Sequence, residues 1–499
     1  MLYILSLEEI NHYKDIAALK NSMDILQPLN LLFFLSIIFG LYWIFPHKWR
    51  ALILLLASYF FYVNVGQSIA GWTALGLIVL STLINYFAAR TIFLLKRLYL
   101  RKFFLALTII LNIAFLGVFK YFDFLAATII NILRPMDIFV NLDPLNWLLP
   151  IGISFYTFRV LSYNIDVYNK KIEPARSLVD FSLYVAYFPS ILAGPIERTK
   201  DFLTKLQLEK RLKEIRLNEG IYFVIYGLFQ KIILADTLAP FVKEVYSSSQ
   251  PSGALILLAT YAFAIQIYGD FAGYTNIARG ISLFFGIDLV QNFNLPYLAT
   301  NPADFWKRWH ITLSTWVKDY MYISLGGKYA PFFALWPLLA SWVVMGLWHG
   351  AAWNYVLWGL YWFALIYGYR ILKQIFPRKE NSWFSKKIIG KAVSRILFFQ
   401  LVCYGWLIFR SSDLHQIISF THSLLQGVDL STLLNIQYLP IYAVGLFLVI
   451  YEAFQNYFAD QVFITKKNFY YQLLFYLVLF FLLIEIKSTD NVLFLYFQF

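Results

Sequence analysis

Two histidines lie at the ends of one apolar segment, and each follows a tryptophan. His310 follows Trp309, His349 follows Trp348, and the apolar segment Phe332 to Leu347 separates the two pairs. A buried imidazole stays neutral at physiological pH, because desolvation disfavours its charged form. A neutral imidazole can take a proton from a hydroxyl, which is what a general base in acyl transfer requires. An ionisable group at the end of such a segment indicates a functional site.

A structural interpretation of the same residues is equally open. Single histidines at the ends of apolar segments are often structural, and tryptophans collect there as interfacial anchors. The residues alone therefore do not separate an acyl transferase from a transporter of a polymer or lipid. The transporter is disfavoured because the chain shows no internal repeat, whereas many transporters are built from repeats.

Charged side chains crowd the first histidine and also follow an interrupted apolar run further upstream. Arg308 and Asp319 flank the first histidine, whereas Arg198 and Lys200 follow the run Ser177–Pro195. Prolines and a glycine interrupt that run, which predicts a re-entrant segment buried in protein or lining a cavity. Its basic exit is predicted either to lie on anionic lipid headgroups or to dock a phosphate-bearing donor.

Neither a nucleophile-elbow motif nor a zinc-protease motif is present. The sequence contains no GxSxG and no HExxH, the patterns typical of those sites. Cys403 is the single cysteine, so an internal disulfide and a thiolate metal site are excluded. The two histidines also lack carboxylates at the spacing of zinc ligands. The sequence therefore predicts no metal site.

The composition is that of an integral membrane protein. Hydrophobic residues make up 60% of the chain and charged residues 14%, against about 45–50% and 25% in soluble proteins. The net charge of +13 is concentrated in short loops between apolar runs, as expected of residues that set membrane orientation. The positive charge therefore does not predict a nucleic-acid partner.

The pattern of apolar runs predicts an all-α integral membrane protein. We expect about 11–12 transmembrane helices plus re-entrant and interfacial helices, since about 20 apolar residues cross a bilayer. Residues 1–28 are predicted as an N-terminal extracytoplasmic or interfacial segment, and residues 29–499 as one multi-pass domain. Asp270 lies in Gly269–Asn276, whose glycines and polar side chains predict a backbone interruption that lines a cavity.

The two histidine segments resemble the signature of a known family. Phe305–Gly327 reads FWKRWHITLSTWVKDYMYISLGG and Gly346–Trp353 reads GLWHGAAW. Both are similar to motifs of the membrane-bound O-acyltransferase (MBOAT) family, and most similar to its bacterial alginate O-acetyltransferase branch; the signature region spans 270–353. Shorter similar segments extend over most of the chain: Leu56–Tyr62, Leu149–Phe158, Tyr187–Ile196, Asp270–Tyr274 and Tyr496–Phe499.

The resemblance implies a helical bundle around a central tunnel. It implies that His349 is the catalytic residue and His310 its companion. Further side chains are expected to bind the substrate or donor, with the last two meeting donor phosphates: Trp309, Arg308, Asp319, Trp348, Asp270, Arg198 and Lys200.

The reaction that the resemblance implies is acetyl transfer to an exported polysaccharide. The donor would be a cytoplasmic thioester, acetyl-CoA or an acyl-carrier thioester, with no permanently bound cofactor. An extracytoplasmic SGNH-type acetyltransferase would act as partner, and the chain would be a multi-pass protein in the lipid of the bacterial inner membrane. Alternatives on the same fold are D-alanyl transfer to teichoic acid and O-acetylation of peptidoglycan.

Overall fold

The fold is entirely helical in the part of the chain that can be described. The structure, a computed structural model, describes residues 28–65, 69–145, 149–327, 335–376 and 388–485. No strand occurs in these ranges, which confirms the predicted all-α class. The segment 1–27 and the family-like C-terminal segment 496–499 lie outside the described residues.

The α-helices of the described ranges vary in length from 4 to 32 residues. In chain order they are α1 (Pro28–Ile44), α2 (His47–Val65), α3 (Ile69–Leu94), α4 (Leu98–Leu116), α5 (Phe122–Leu133), α6 (Ile153–Tyr168), α7 (Leu178–Ala186), α8 (Phe188–Ile191), α9 (Thr199–Gln207), α10 (Leu217–Phe229), α11 (Ala239–Ser247), α12 (Gly253–Phe284), α13 (Pro302–Phe305), α14 (Ile311–Val317), α15 (Leu335–His349), α16 (Trp353–Ile375), α17 (Ile388–Arg410), α18 (Leu414–Gln426), α19 (Leu430–Leu433), α20 (Leu439–Phe458) and α21 (Phe469–Glu485).

Several helices have the length and apolar composition of membrane spans. Within the described ranges, six helical segments are long and apolar enough to cross a bilayer: Gly71–Leu94, Leu98–Met136, Leu217–Ser247, Gly253–Phe284, Ile389–Arg410 and Ile436–Phe458. Three shorter helices are also apolar: Leu29–Ile44, Leu335–His349 and Phe469–Ile484. Exposed leucine, isoleucine and phenylalanine side chains cover much of this outer surface, as expected of helices that face lipid.

The predicted backbone interruption at Gly269–Asn276 is wrong, because α12 runs through it without a break. The glycines instead let two helices approach closely. A Cβ on Gly273 would come within 2.7 Å of the Gly227 carbonyl, and a Cβ on Gly280 within 2.6 Å of the Gly220 carbonyl. Small residues at such spacing allow close packing of helices in a membrane. A glycine pattern alone does not distinguish this contact from a break.

The interrupted run Ser177–Pro195 is buried in protein, as predicted. It forms α7, α8 and an irregular exit, and nearly all of its side chains from Phe181 onwards are buried. The guanidinium of Arg159, on α6, donates to the carbonyls of Tyr184 at 3.1 Å and Ser190 at 3.0 Å. These bonds satisfy carbonyls that the broken helix leaves open, as buried backbone requires.

An aromatic core joins α13, α15, α16 and α17. Trp306 lies 4.7 Å from Trp342 and 5.0 Å from Trp362 between ring centroids. Trp358 lies 6.4 Å from Trp406. Large rings held by neighbouring rings have little freedom to change rotamer. This core therefore supplies rigid walls around the end of α15, where the second histidine lies.

Candidate active site

His310 directly precedes α14 and has a left-handed backbone conformation. Its φ is 41°, a region that is costly for a non-glycine residue and is often found at functional sites. The Ile311 N–H donates to the carbonyl of Asn292 over 2.9 Å. The Asn294 N–H donates to the carbonyl of Arg308, also over 2.9 Å. These two bonds hold the turn that presents the His310 ring.

The side chain of Asn292 determines the tautomer of His310. Its Oδ1 accepts hydrogen bonds from the backbone N–H and the hydroxyl of Thr312, at 3.1 and 2.9 Å. Because a backbone N–H can only donate, this oxygen is fixed as an acceptor. The Nδ1 of His310 lies 3.2 Å from the same oxygen and must donate to it. Nε2 therefore carries the lone pair, and it is buried without a hydrogen-bond partner among the described residues.

His349 is the last residue of α15, and its side chain is held among aromatic rings. The residue is 4% exposed. Its ring centroid lies 5.1 Å from Trp348, 5.0 Å from Trp358 and 5.2 Å from Phe409, with interplanar angles of 78°, 84° and 81°. Edge-to-face contacts of this kind are favourable for aromatic pairs. They also exclude water, which strengthens electrostatic interactions at the ring.

Trp348 contacts both histidines. Its ring centroid is 5.7 Å from that of His310 and 5.1 Å from that of His349. On α6, Phe155 and Phe158 pack against the same indole at 5.2 and 5.8 Å. The structure therefore brings together His310, His349 and Trp348, three of the residues that the sequence predicted for the site.

Lys120 and Tyr121 reach the same end of α15, although the sequence analysis did not single them out. The Lys120 ammonium donates to the carbonyl of Trp348 at 2.6 Å and to that of His349 at 3.3 Å. The Tyr121 hydroxyl donates to the carbonyl of Leu347 at 2.9 Å. A lysine inside a long apolar helix is itself a signal of function, so Lys120 could have been found from the sequence.

Two predicted site residues beside His310 have partners elsewhere. Trp309 is buried in the aromatic core, 4.8 Å from Trp406 and 5.0 Å from Phe293. Arg308 donates through Nε to Asp304 at 2.8 Å and lines a polar cavity of about 510 Å³. These contacts support the turn that leads into His310.

The other predicted charged residues have partners or positions of their own. Arg198 and Asp319 form an ion pair with each other at 2.9 Å. Lys200 is exposed on α9. Asp270 is buried and accepts a hydrogen bond from Lys231 at 2.6 Å, an arrangement that neutralises its charge within the protein. Three of these four residues therefore pair with a charged residue other than the histidines.

A cavity of about 690 Å³ lies beside α14, α15 and α16. Met345 lines it one helical turn before His349, so both side chains lie on one face of α15. Ile311, the residue after His310, also lines it, although neither histidine does. Of the described residues that line this cationic cavity, none is acidic, and four are positively charged: Lys307, Lys318, Arg370 and Lys373.

Two indole N–H groups lie between the cationic cavity and His349. Trp306 lines the cavity, and its ring centroid is 5.8 Å from that of Trp358, which contacts His349. Both N–H groups are buried and have no hydrogen-bond partner within the described part of the chain. An unpaired buried donor is costly. These groups can therefore bind an oxygen atom of a ligand at little further cost.

The sequence and the fold together place the chain in a known class of enzyme. The model of the MBOAT family, the membrane-bound O-acyltransferases, matches residues 57–411, which include both histidines and most of the helices described above. The chain belongs to the membrane-bound O-acyltransferase family and is a multi-pass membrane O-acyltransferase.

The chain is similar to three kinds of named bacterial transferase. The chain is 35% identical to the "Probable alginate O-acetylase AlgI" of Azotobacter vinelandii over 394 residues, which cover 77% of this chain and 74% of the relative. It is 30% identical to a peptidoglycan O-acetyltransferase of Helicobacter pylori, over 78% of this chain and 75% of that protein. It is 27% identical to a teichoic acid D-alanyltransferase of Bacillus subtilis, over 55% of this chain and 71% of that protein.

Proposed function

We propose that the protein transfers an acetyl group from a cytoplasmic thioester to a hydroxyl of an exported polysaccharide. The observation that carries this proposal is that two buried imidazoles, His310 and His349, contact the same indole, Trp348, beside the cationic cavity, which is the proposed donor cavity. The similarity to alginate O-acetylases over three quarters of the chain supports acetyl as the acyl group and a polysaccharide as the acceptor.

In the proposed reaction, His349 is the general base. Its ring takes the proton of the attacking hydroxyl while the oxygen forms a bond to the thioester carbonyl carbon. The carbon–sulfur bond then breaks, and the same proton passes to the leaving thiolate. An ester and a free thiol result, so no further reactant is needed. His310 would accept, through its Nε2 lone pair, a hydrogen bond from a second O–H or N–H group of the bound substrates and thereby position them, which leaves the proton of the attacking hydroxyl to His349.

Indole N–H groups would stabilise the charge that develops on the thioester oxygen. Trp358 contacts His349, and Trp306 borders the donor cavity, so each lies on the path between donor and base. Preorganised donors aimed at a developing oxyanion are a large source of rate acceleration in a dry site. The absence of another partner for these two N–H groups in the described residues supports this role.

The donor cavity suits a thioester carried on a phosphate-bearing molecule. Coenzyme A and the phosphopantetheine arm of an acyl carrier both combine phosphate with a long uncharged arm. The apolar wall formed by Leu338, Trp342 and Met345 would receive the arm, and the four cations would meet phosphate. Lys373 lies in the last turn of α16 and begins the basic sequence Lys373–Arg395, which favours a cytoplasmic position for this end. Arg198, already paired with Asp319, is a weaker candidate for phosphate.

The acceptor side of the proposal follows the resemblance to the bacterial alginate O-acetyltransferase branch. An SGNH-type acetyltransferase outside the membrane would receive the acetyl group and place it on the polymer, and the chain would lie in the bacterial inner membrane. Two alternatives keep the same site and change the cargo. They are D-alanyl transfer to teichoic acid and acetyl transfer to peptidoglycan, which the names of the Bacillus and Helicobacter relatives support.

The experiment uses inside-out membrane vesicles with labelled donors. Wild-type vesicles and His349→Ala vesicles are incubated with labelled acetyl-CoA, or with D-alanine on a carrier protein, and labelled polymer is measured. We expect acetyl label only, in alkali-labile ester on the polysaccharide, and none in the variant. Label from the D-alanyl carrier would instead establish the teichoic acid alternative. Unchanged acetylation by His349→Ala at normal protein abundance would rule out the assigned base.

A further inference from the structure

The C-terminal end of α15 is held by two side chains from a distant helix. The last carbonyls of an α-helix have no partner within the helix. Here the carbonyl of Leu347 accepts from Tyr121, and those of Trp348 and His349 accept from Lys120. Three successive carbonyls, the last belonging to the proposed base, are thus satisfied by neighbouring residues of one other segment.

A π-helical turn makes this double contact possible. Between the α-helical segments Leu98–Leu116 and Phe122–Leu133, the residues Gly117–Tyr121 form a wider π turn. Consecutive residues of a regular α-helix do not face one partner, yet Lys120 and Tyr121 both reach the end of α15. Single π turns inside α-helices occur frequently at functional sites. The widened turn directs both side chains to one target.

The charge of Lys120 is unusual for its position. A lysine within a membrane span is costly and normally pairs with a specific group. Lys120 binds carbonyls at the C-terminal end of a helix, where the helix dipole favours a cation. An ammonium at this point can fix the carbonyl of His349 more firmly than a neutral donor, since hydrogen bonds from charged donors are the stronger ones.

We infer that Lys120 and Tyr121 are positioning residues that fix the backbone at His349 and thereby the direction of its imidazole. They act through His349 and touch neither donor nor acceptor. The aromatic rings around His349 restrict the orientation of its imidazole. The side chains of Lys120 and Tyr121 fix the position of the backbone that carries this imidazole. This inference rests on the proposed role of His349.

The test compares acetyl transfer rates in inside-out vesicles over a range of acetyl-CoA concentrations. Lys120→Met should lower the maximal rate by about tenfold to a hundredfold, because small misplacements of a catalytic group have effects of that size. The half-saturating donor concentration should change by less than about twofold, since Lys120 makes no contact with the donor. Lys120→Arg can donate to the same carbonyls and should recover at least about a third of the wild-type rate.

Three further variants complete the design. Tyr121→Phe removes one hydroxyl and should lower the maximal rate by about threefold. If Lys120→Met does not accumulate in the membrane, the rate of Tyr121→Phe alone tests the positioning role. Lys102→Met removes an exposed lysine from the same span and should leave the rate unchanged. His349→Ala is measured in parallel. If it retains activity, the proposed role of His349 is wrong, regardless of the rates of the Lys120 variants.

Two results would overturn the inference while leaving the proposed function intact. One is full activity of both Lys120→Met and Tyr121→Phe beside an inactive His349→Ala. The other is a lower maximal rate of Lys120→Met that is fully explained by lower protein abundance and melting temperature, together with an equally low rate of Lys120→Arg.

Discussion

The two imidazoles of the site are held in opposite ways. His310 is held through its own ring, because Asn292 binds Nδ1 and leaves Nε2 open. His349 is held through its backbone, because Lys120 binds its carbonyl, and its ring packs edge-to-face against Trp358, on α16, and Phe409, on α17. A ring with a fixed tautomer suits a constant hydrogen-bonding role, whereas a ring among apolar walls suits proton transfer in a dry environment. The difference supports distinct roles for the two histidines.

Replacement of His310 should have the largest effect among the supporting residues. His310→Gln keeps a polar side chain but loses the Nε2 lone pair at its present position. We expect the acetyl transfer rate to fall by about a hundredfold to a thousandfold, the range for loss of a positioned catalytic group. The rate is measured in vesicles at saturating acetyl-CoA, with His422→Gln, on α18, as the control. A loss below about threefold would make His310 structural.

Asn292 offers a way to change the tautomer without removing an imidazole. Asn292→Leu removes the acceptor of the His310 Nδ1–H, and the rate should fall by about tenfold to a hundredfold, as for other partners that orient a functional histidine. Asn292→Asp keeps an acceptor oxygen and should lose less than about fivefold. Equal losses in both variants, with equal protein abundance, would show that Asn292 supports the turn and not the tautomer.

Replacement of Trp358 tests the role of the aromatic rings that surround His349. Trp358→Phe keeps an aromatic ring but removes the unpaired N–H, and the maximal rate should fall by about tenfold, near the lower end for loss of an oxyanion donor. Trp362→Phe is the matched control one turn further along α16, since Trp362 packs against Phe305 and Trp306. Equal rates in the two variants would remove the indole of Trp358 from the reaction.

The smallest expected effect concerns the donor cavity, whose lining includes Ile311, next to His310, and Met345, one helical turn before His349. Lys318→Gln removes one of its four cations, so the half-saturating concentration of acetyl-CoA should rise by about threefold to fivefold, and less at high salt. The maximal rate should not change. Lys200→Gln, outside the cavity, should leave both values unaltered. A rise in Lys200→Gln instead would place the donor phosphates at α9, where the sequence first suggested them.

Some parts of this site can be read from the sequence because their physical signal is local. Long apolar runs require helices in lipid, and histidines that end such a run stand out against them. His310 and His349 were therefore predicted as a pair, and the structure places them on one indole. The spacing of residues carries this information without any knowledge of the fold.

Other parts could not be read because their signal depends on distant contacts. Asn292 looks like an ordinary loop residue until its oxygen is seen between Thr312 and His310. The glycines of α12 have the same pattern whether they break a helix or allow the close approach of α10. Arg198 and Asp319 were both predicted for the site, but their mutual attraction could not be known from positions so far apart in the chain.

The account depends most on the claim that His310 and His349 act as one unit around Trp348. A double-mutant cycle on the acetyl transfer rate tests it directly, with His310→Gln, His349→Gln and the double variant in the same vesicles. The account predicts that the double variant is hardly slower than His349→Gln alone, because residues that act as a unit are strongly non-additive. Losses that multiply, as for two independent sites, would contradict it.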